Sequence, residues 1–319
     1  MALAAQKIQR DNRMKKINFG GTAVGYILAL AIVCVWGTTF VSTKYLLNYL
    51  VPVEIMLYRV TAAYAAFLIL YPHPLPKVGW RTEAKIACAG FLGLTLYFLC
   101  ENSAMIYSTS SNVAMLCATS PLLTGFIAHI FTKNEKISRR FLIGSLLCLV
   151  GIFCSIGNGH FILKLNPLGD VIALGAALSF ACYSVLIRNV ECVYTPAQVA
   201  RTMLFYTMIS LMLLALTPFV KLHTYELLRP AVLGNVIFLS LCASVFCTWG
   251  WNIVIWRLGA VKANNLIYLI PPVTMLFSAI ILDERITIFA ITGNVLILAG
   301  VFISQKITRR PYRERRLAA

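Results

Sequence analysis

The sequence predicts an all-α integral membrane protein: ten transmembrane helices in two inverted five-helix repeats, with N- and C-termini cytoplasmic. Three observations carry that expectation. The 319 residues are 60% hydrophobic and only 12% charged, with a mean hydropathy of +0.81, against roughly 45–50% apolar and 25% charged in soluble domains. Apolar windows of membrane length follow one another along the chain. Residues of the first half recur at a nearly fixed offset in the second.

A helix crossing the hydrocarbon needs about 20 mostly apolar residues. Windows broken by charge, Pro or Gly give spans at 24–47, 53–72, 84–103, 106–131, 139–157, 167–187, 197–217, 231–254, 259–282 and 287–305. Asn102-Ser103-Ala104 is read as the turn between the third and fourth. The first span follows a basic stretch, as a signal peptide would, but it has full membrane length and no small-residue cleavage site, so it is read as a retained helix. Ten spans leave no room for a sizeable soluble domain. The chain then divides into a basic cytoplasmic tail (1–21), a first repeat (22–158), a second repeat (159–305) and a basic cytoplasmic C-terminal tail (306–319).

Orientation follows from the basic residues. With the N-terminus inside, 21 Lys and Arg fall on the cytoplasmic side, four outside and three within spans. That asymmetry is the positive-inside pattern. It also accounts for the net charge of +17 without nucleic acid, which is excluded as a partner. The C-terminal basic run from Lys306 to Arg316 serves either as a topological anchor or as a contact for anionic headgroups. The cysteines lie within apolar runs without C-x-x-C spacing and read as small hydrophobes. No metal site or cofactor is implied.

The duplication is legible in ordered pairs. Gly25 and Gly169, Lys44 and Arg188, and Pro52 and Pro196 stand 144 positions apart. Ala114 and Ala263, Glu135 and Glu284, Gly144 and Gly293, and Gly151 and Gly300 stand 149 apart. An odd number of spans per half turns the second half upside down. Inverted repeats recur in secondary transporters, with the ligand near midplane at the repeat interface.

Individual motifs sharpen the reading. Trp36-Gly37 with Phe40 opens the first repeat, followed by Pro52 and Arg59, Tyr107 through Asn112 to Ser120-Pro121, and Glu135 with Gly144 and Gly151. The second repeat ends on Pro271, Asp283-Glu284, Gly293 and Gly300. In these features residues 22–305 resemble the EamA family of the drug/metabolite transporter superfamily. The second repeat departs from the pattern at Phe180-Ala181, where Trp-Gly is expected, and at Met203, opposite Arg59. The resemblance implies carriage of small metabolites, including amino acids, without ATP hydrolysis.

Ionisable residues in a membrane usually face a cavity or a partner. Glu101, beside Asn102 at the expected end of the third span, either binds a substrate amine, takes a proton in exchange, or merely ends a helix at the interface. Arg59 either holds a substrate carboxylate or pairs with Glu54 or Glu101, whereas Arg201 is expected to snorkel to the headgroups. Trp36 lies too deep for the interfacial aromatic belt. Asn112, Trp249, Asn252, Asn264, Asn265 and Tyr268 complete the candidate substrate-binding set. Pro121, Pro271 and Pro272 are expected to kink their helices and free carbonyls.

The sequence thus points to a secondary transporter, an exporter of small organic metabolites such as amino acids, working by alternating access in the plasma membrane as monomer or homodimer. Drugs, nucleosides or sugar derivatives remain open as solutes. A membrane-embedded enzyme would need an H-E-x-x-H, a G-x-S-x-G or paired aspartates, and none occurs. A channel does not require inverted halves.

Overall fold

The computed structural model describes residues 22–73, 75, 78–108, 110–132, 137–157, 166–188, 194–217, 222–270, 272–273 and 288–305. The described chain is all helical. This follows from a solvent that cannot hydrogen-bond the backbone, so that every N–H and C=O must be answered within its own segment. Six helices are long and apolar enough to cross a membrane: α1 (Thr22–Leu46), α2 (Pro52–Leu70), α3 (Trp80–Tyr107), α7 (Pro167–Arg188), α8 (Pro196–Ala215) and α9 (Pro230–Leu258). Between and after them lie α4 (Ser110–Cys117), α5 (Ser120–Phe131), α6 (Arg139–Gly157), α10 (Ala260–Asn265) and α11 (Ile288–Gln305). At 1.5 Å per residue the shortest of the six reaches ~28 Å, close to the hydrocarbon thickness.

The expected turn at Asn102-Ser103-Ala104 is not there. Helix α3 runs through it to Tyr107, and the chain breaks only at Ser108. Polar residues were read as an interface, but Glu101 and Asn102 are 4% and 1% exposed and sit inside the bundle. The fourth expected span, 106–131, is split into α4 and α5 at Ala118-Thr119. Pro121 enters α5 in its first turn and has no N–H to return to the Cys117 carbonyl. The ninth, 259–282, starts at Gly259, whose positive φ of 89° suits a residue without Cβ. It continues as α10 and a tight 3₁₀ turn at Leu266–Leu269. The two breaks are equivalent, since Ala118 and Ile267 stand 149 positions apart.

The third helix of each half carries the same irregularity. A π-helical turn occupies Phe91–Leu96 in α3 and Leu239–Phe246 in α9. Such turns are rare and concentrate at functional places. The ends of these helices are also tied alike. Lys44 Nζ donates to the Met105 carbonyl at 2.7 Å, and Arg188 Nη1 to the Trp256 carbonyl at 2.9 Å. Each cation meets the negative end of a helix dipole.

Packing reveals the inversion. Helix α1 lies on α9, and α3 on α7, so the first helix of each half packs on the third of the other. Helices α6 and α11 meet backbone to backbone: a Cβ added to Gly144 would stand 2.6 Å from the Gly300 oxygen, and one on Gly151 2.5 Å from the Gly293 oxygen. Rising along α6 therefore means falling along α11. Two equivalent helices running antiparallel through reciprocal glycine contacts are related by an approximate two-fold axis. Small residues permit this approach.

Gly144→Leu and Gly300→Leu are each expected to destabilise the protein by ~2 kcal/mol or more through overpacking, read as a lowered melting temperature in detergent. Gly175→Ala, where an added Cβ meets nothing within 4 Å, should show no loss. Lys44→Met and Arg188→Met should each cost ~1 kcal/mol or less in the same assay, and by similar amounts.

Candidate functional site

A cavity lies between the two halves. Helix α1 contributes Trp36, Thr39 and Phe40, and α7 contributes Phe180. Trp36 and Phe180 are 144 positions apart, equivalent residues that meet edge-on with ring centroids 6.1 Å apart. Both helix breaks also reach the cavity, through Ala118 and Ser120 from one half and Ile267 and Ile270 from the other. The site is therefore built on the axis that relates the repeats.

Beyond its π turn, α3 presents Tyr97, Phe98 and Glu101 to the cavity. Tyr97 and Glu101 stand one helical turn apart on α3 and interact through their side chains. The aromatic rings form a connected wall: Trp251 packs on Trp36 at 4.7 Å, Phe180 on Tyr97 at 5.0 Å, and Tyr97 on Phe98 at 4.8 Å. Tilted and edge-on rings of this kind hold one another by their quadrupoles as well as by area. Arg59, only 2% exposed, covers Phe98, its guanidinium carbon 4.1 Å from the ring centroid. Its Nε donates to Ser244 Oγ in α9 at 2.6 Å. It attracts Glu101 electrostatically but does not line the cavity.

Of the residues singled out in the sequence, Trp36 and Glu101 face the cavity, with Arg59 behind its wall. The others go elsewhere. Asn252 accepts from the Tyr183 hydroxyl at 2.7 Å, and Asn264 donates to Thr124 at 2.6 Å and Ser184 at 3.0 Å. Asn265 donates to Ser304 at 3.1 Å. These amides tie helices together, the usual work of buried polar groups in bundles. Tyr268 is fully buried, whereas Trp249 is 40% exposed on the outer face of α9. Asn102 is buried with neither amide atom hydrogen-bonded among the described residues. The side chain of Asn112 and all of Pro271, Glu135 and Glu284 lie outside the described residues. Pro272 is described within a short helical stretch, away from the lining set. Tyr97, Phe98 and Ser120 were not anticipated. The first two lie on the helical face shared with Glu101, a spacing of three and four residues that could have flagged them.

Two further expectations are corrected at the ends of the bundle. Glu54 is not the partner of Arg59. Its carboxylate accepts from the Val51 N–H at 3.0 Å, from the His223 N–H, and meets His223 Nδ1 at 3.1 Å. Arg201 does not snorkel: it is 8% exposed and donates to the Tyr71 and His73 carbonyls at 2.9 and 2.8 Å, capping the last turn of α2. Nearby, Tyr194 and Tyr206 donate to the two oxygens of Glu83. Burial, with Glu83 alongside, pushes the Tyr194 phenol up to about 12.

Comparison with known proteins agrees with this architecture. The EamA-like transporter family matches twice, over residues 23–157 and 167–305. An uncharacterized transporter of Archaeoglobus fulgidus is 22% identical over 278 residues, 87% of this chain and 96% of its own. A probable amino-acid metabolite efflux pump of Escherichia coli (strain K12) is 24% identical, covering 87% of this chain and 93% of the pump. A probable terminal-alkyne amino-acid exporter of Streptantibioticus cattleyicolor is 24% identical, covering 92% and 96%. A solved crystal structure with 17% identity superposes with a TM-score of 0.73 over 91% of this chain and 100% of that one, and so shares the fold. With both repeats matched and the halves inverted about one cavity, the chain belongs to the EamA-like transporter family, as a multi-pass membrane protein.

Proposed function

We propose that this transporter exports small organic metabolites such as amino acids by alternating access, with the cavity between the repeats as the solute site. The observation that carries the proposal is the placement of equivalent elements from both halves around one cavity: Trp36 opposite Phe180, and the break at Ala118 opposite that at Ile267. Inverted halves that exchange conformations generate two arrangements of similar energy, each open to one side. A solute that binds both without strong preference then crosses as the arrangements interconvert.

In this reading ten helices cross the plasma membrane with both termini in the cytoplasm, which puts the Lys44 cap outside and the Arg188 cap inside. The charge distribution along the sequence supports that orientation. Relatives named as an efflux pump and an exporter support outward transport and amino-acid-like solutes. Glu101, a carboxylate reachable from the cavity, is the group proposed to carry a coupling proton.

Reconstituted protein is expected to give saturable counterflow for at least one member of a labelled amino-acid panel, enhanced by a pH gradient. Glu101→Gln should lose gradient-driven accumulation by about tenfold or more, equivalent to ~1.4 kcal/mol. Absence of counterflow for every amino acid would remove that solute class. Full gradient dependence in Glu101→Gln would remove the proton from this residue.

A further inference from the structure

The charges around the cavity are unequal. Among the described residues that line it, Glu101 is the only charged one. A free amino acid presents both an ammonium and a carboxylate, and burial requires that each be answered by a partner. The ammonium has one. Glu101 has Tyr97 beside it on α3, but a carboxylate offers about four lone-pair sites, so it can accept a ligand N–H as well. Among the described residues the carboxylate has no comparable partner. Arg59, which sequence reasoning allowed as its clamp, is held at Nε by Ser244 and lies over Phe98, which itself lines the cavity. Lys44 and Arg188 are committed to carbonyls at the helix ends, and Arg201 to those of Tyr71 and His73.

The walls agree with that asymmetry. Trp36, Phe40, Tyr97, Phe98 and Phe180 surround the acid, and aromatic faces attract cations and repel anions. A ligand ammonium in contact with Glu101 would be nearer to that carboxylate than to Arg59, and with a falling dielectric the nearer charge dominates. Ile267, Ile270 and Ala114 leave the rest of the cavity apolar. The remaining polar groups at the wall, the Thr39 and Ser120 hydroxyls, the Trp36 indole N–H and the Cys117 thiol, are neutral. Thr39 already donates to the Trp36 carbonyl at 2.8 Å.

We infer that the cavity recognises organic amines, a protonated amino group on an apolar or aromatic body, and that the free carboxylate of an amino acid is dispensable for binding. The inference rests on the reading of this cavity as the solute site and narrows its solute class. Amines lacking the carboxylate, and amino-acid esters or amides, are ligands as good as the parent amino acids or better.

Three probes share a phenyl ring and a two-carbon chain and differ in charge: phenethylamine, phenylalanine and 3-phenylpropionate. Binding to the purified full-length protein is measured by intrinsic tryptophan fluorescence, to which Trp36 in the cavity wall contributes, and independently by thermal shift. Phenethylamine should bind at least as tightly as phenylalanine and about tenfold or more tightly than 3-phenylpropionate. Glu101→Gln should weaken phenethylamine by a similar factor while narrowing its advantage over 3-phenylpropionate. If that variant does not fold, the wild-type order alone decides. Equal or tighter binding of 3-phenylpropionate, tighter binding of phenylalanine by tenfold, or no binding of any probe would overturn the inference. Counterflow with labelled phenethylamine separates the two levels. Amine binding without counterflow contradicts the transport reading alone, whereas counterflow of phenylalanine that phenethylamine cannot inhibit contradicts the amine inference alone.

Discussion

A carboxylate in the middle of a helical membrane bundle must be answered by protein, ligand or proton, and much of the arrangement around the cavity follows from Glu101. Tyr97 answers it from one helical turn away within α3, and Arg59 by attraction from behind Phe98. Arg59 is itself a buried charge, and it is held by Ser244 of the opposite half. The chain of dependence therefore runs from α3 to α2 within the first half and crosses the repeat boundary from α2 to α9. Intramembrane charges are expensive unless so connected. A single acid that retains one face toward a cavity can alternate between proton and ligand, which gives the buried charge a use that a purely structural pair would lack.

The inverted duplication supplies the second constraint. Reciprocal glycine contacts between α6 and α11 bind the two halves along their pseudo-symmetric axis at backbone distance, where only glycine fits. Away from that seam the halves meet through side chains and through broken helices. Equivalent breaks after α4 and α10 leave the cavity edged by irregular backbone, and equivalent π turns interrupt α3 and α9 away from its lining. In membranes such backbone is tolerated where protein buries it or a cavity borders it. A rigid seam with adaptable elements on the cavity side is a physically reasonable basis for two alternative arrangements of similar energy.

Much of this was legible before any coordinates. Periodic apolar windows and the 144- and 149-residue offsets predicted helices and halves, because both depend on local composition and on duplication. Trp36 and Glu101 could be picked out because a tryptophan deep in a span and an acid at the end of one, beside a polar run, each stand out from an apolar surrounding. What escaped the sequence was partnership. Arg59 meets Ser244 across 185 positions, and Asn264 meets Thr124 across 140. Nothing local distinguishes an asparagine that ties helices from one that meets a solute. The misplaced turn at Asn102-Ser103-Ala104 has the same origin. A polar run reads as interface when the partner that permits its burial cannot be seen, and α3 passes through it as regular α-helix to Tyr107.

Access to the cavity can be followed at Cys117, which lines it, in a protein whose nine other cysteines (of ten in the sequence) are replaced. A small, charged, membrane-impermeant methanethiosulfonate is applied to right-side-out and inverted vesicles, with and without a transported amine. Alternating access predicts modification of Cys117 from both membrane faces, with the ratio of the two rates shifted by the amine. Modification from one face only under every condition, in a protein that still exchanges solute, would contradict a cavity that opens alternately to the two sides.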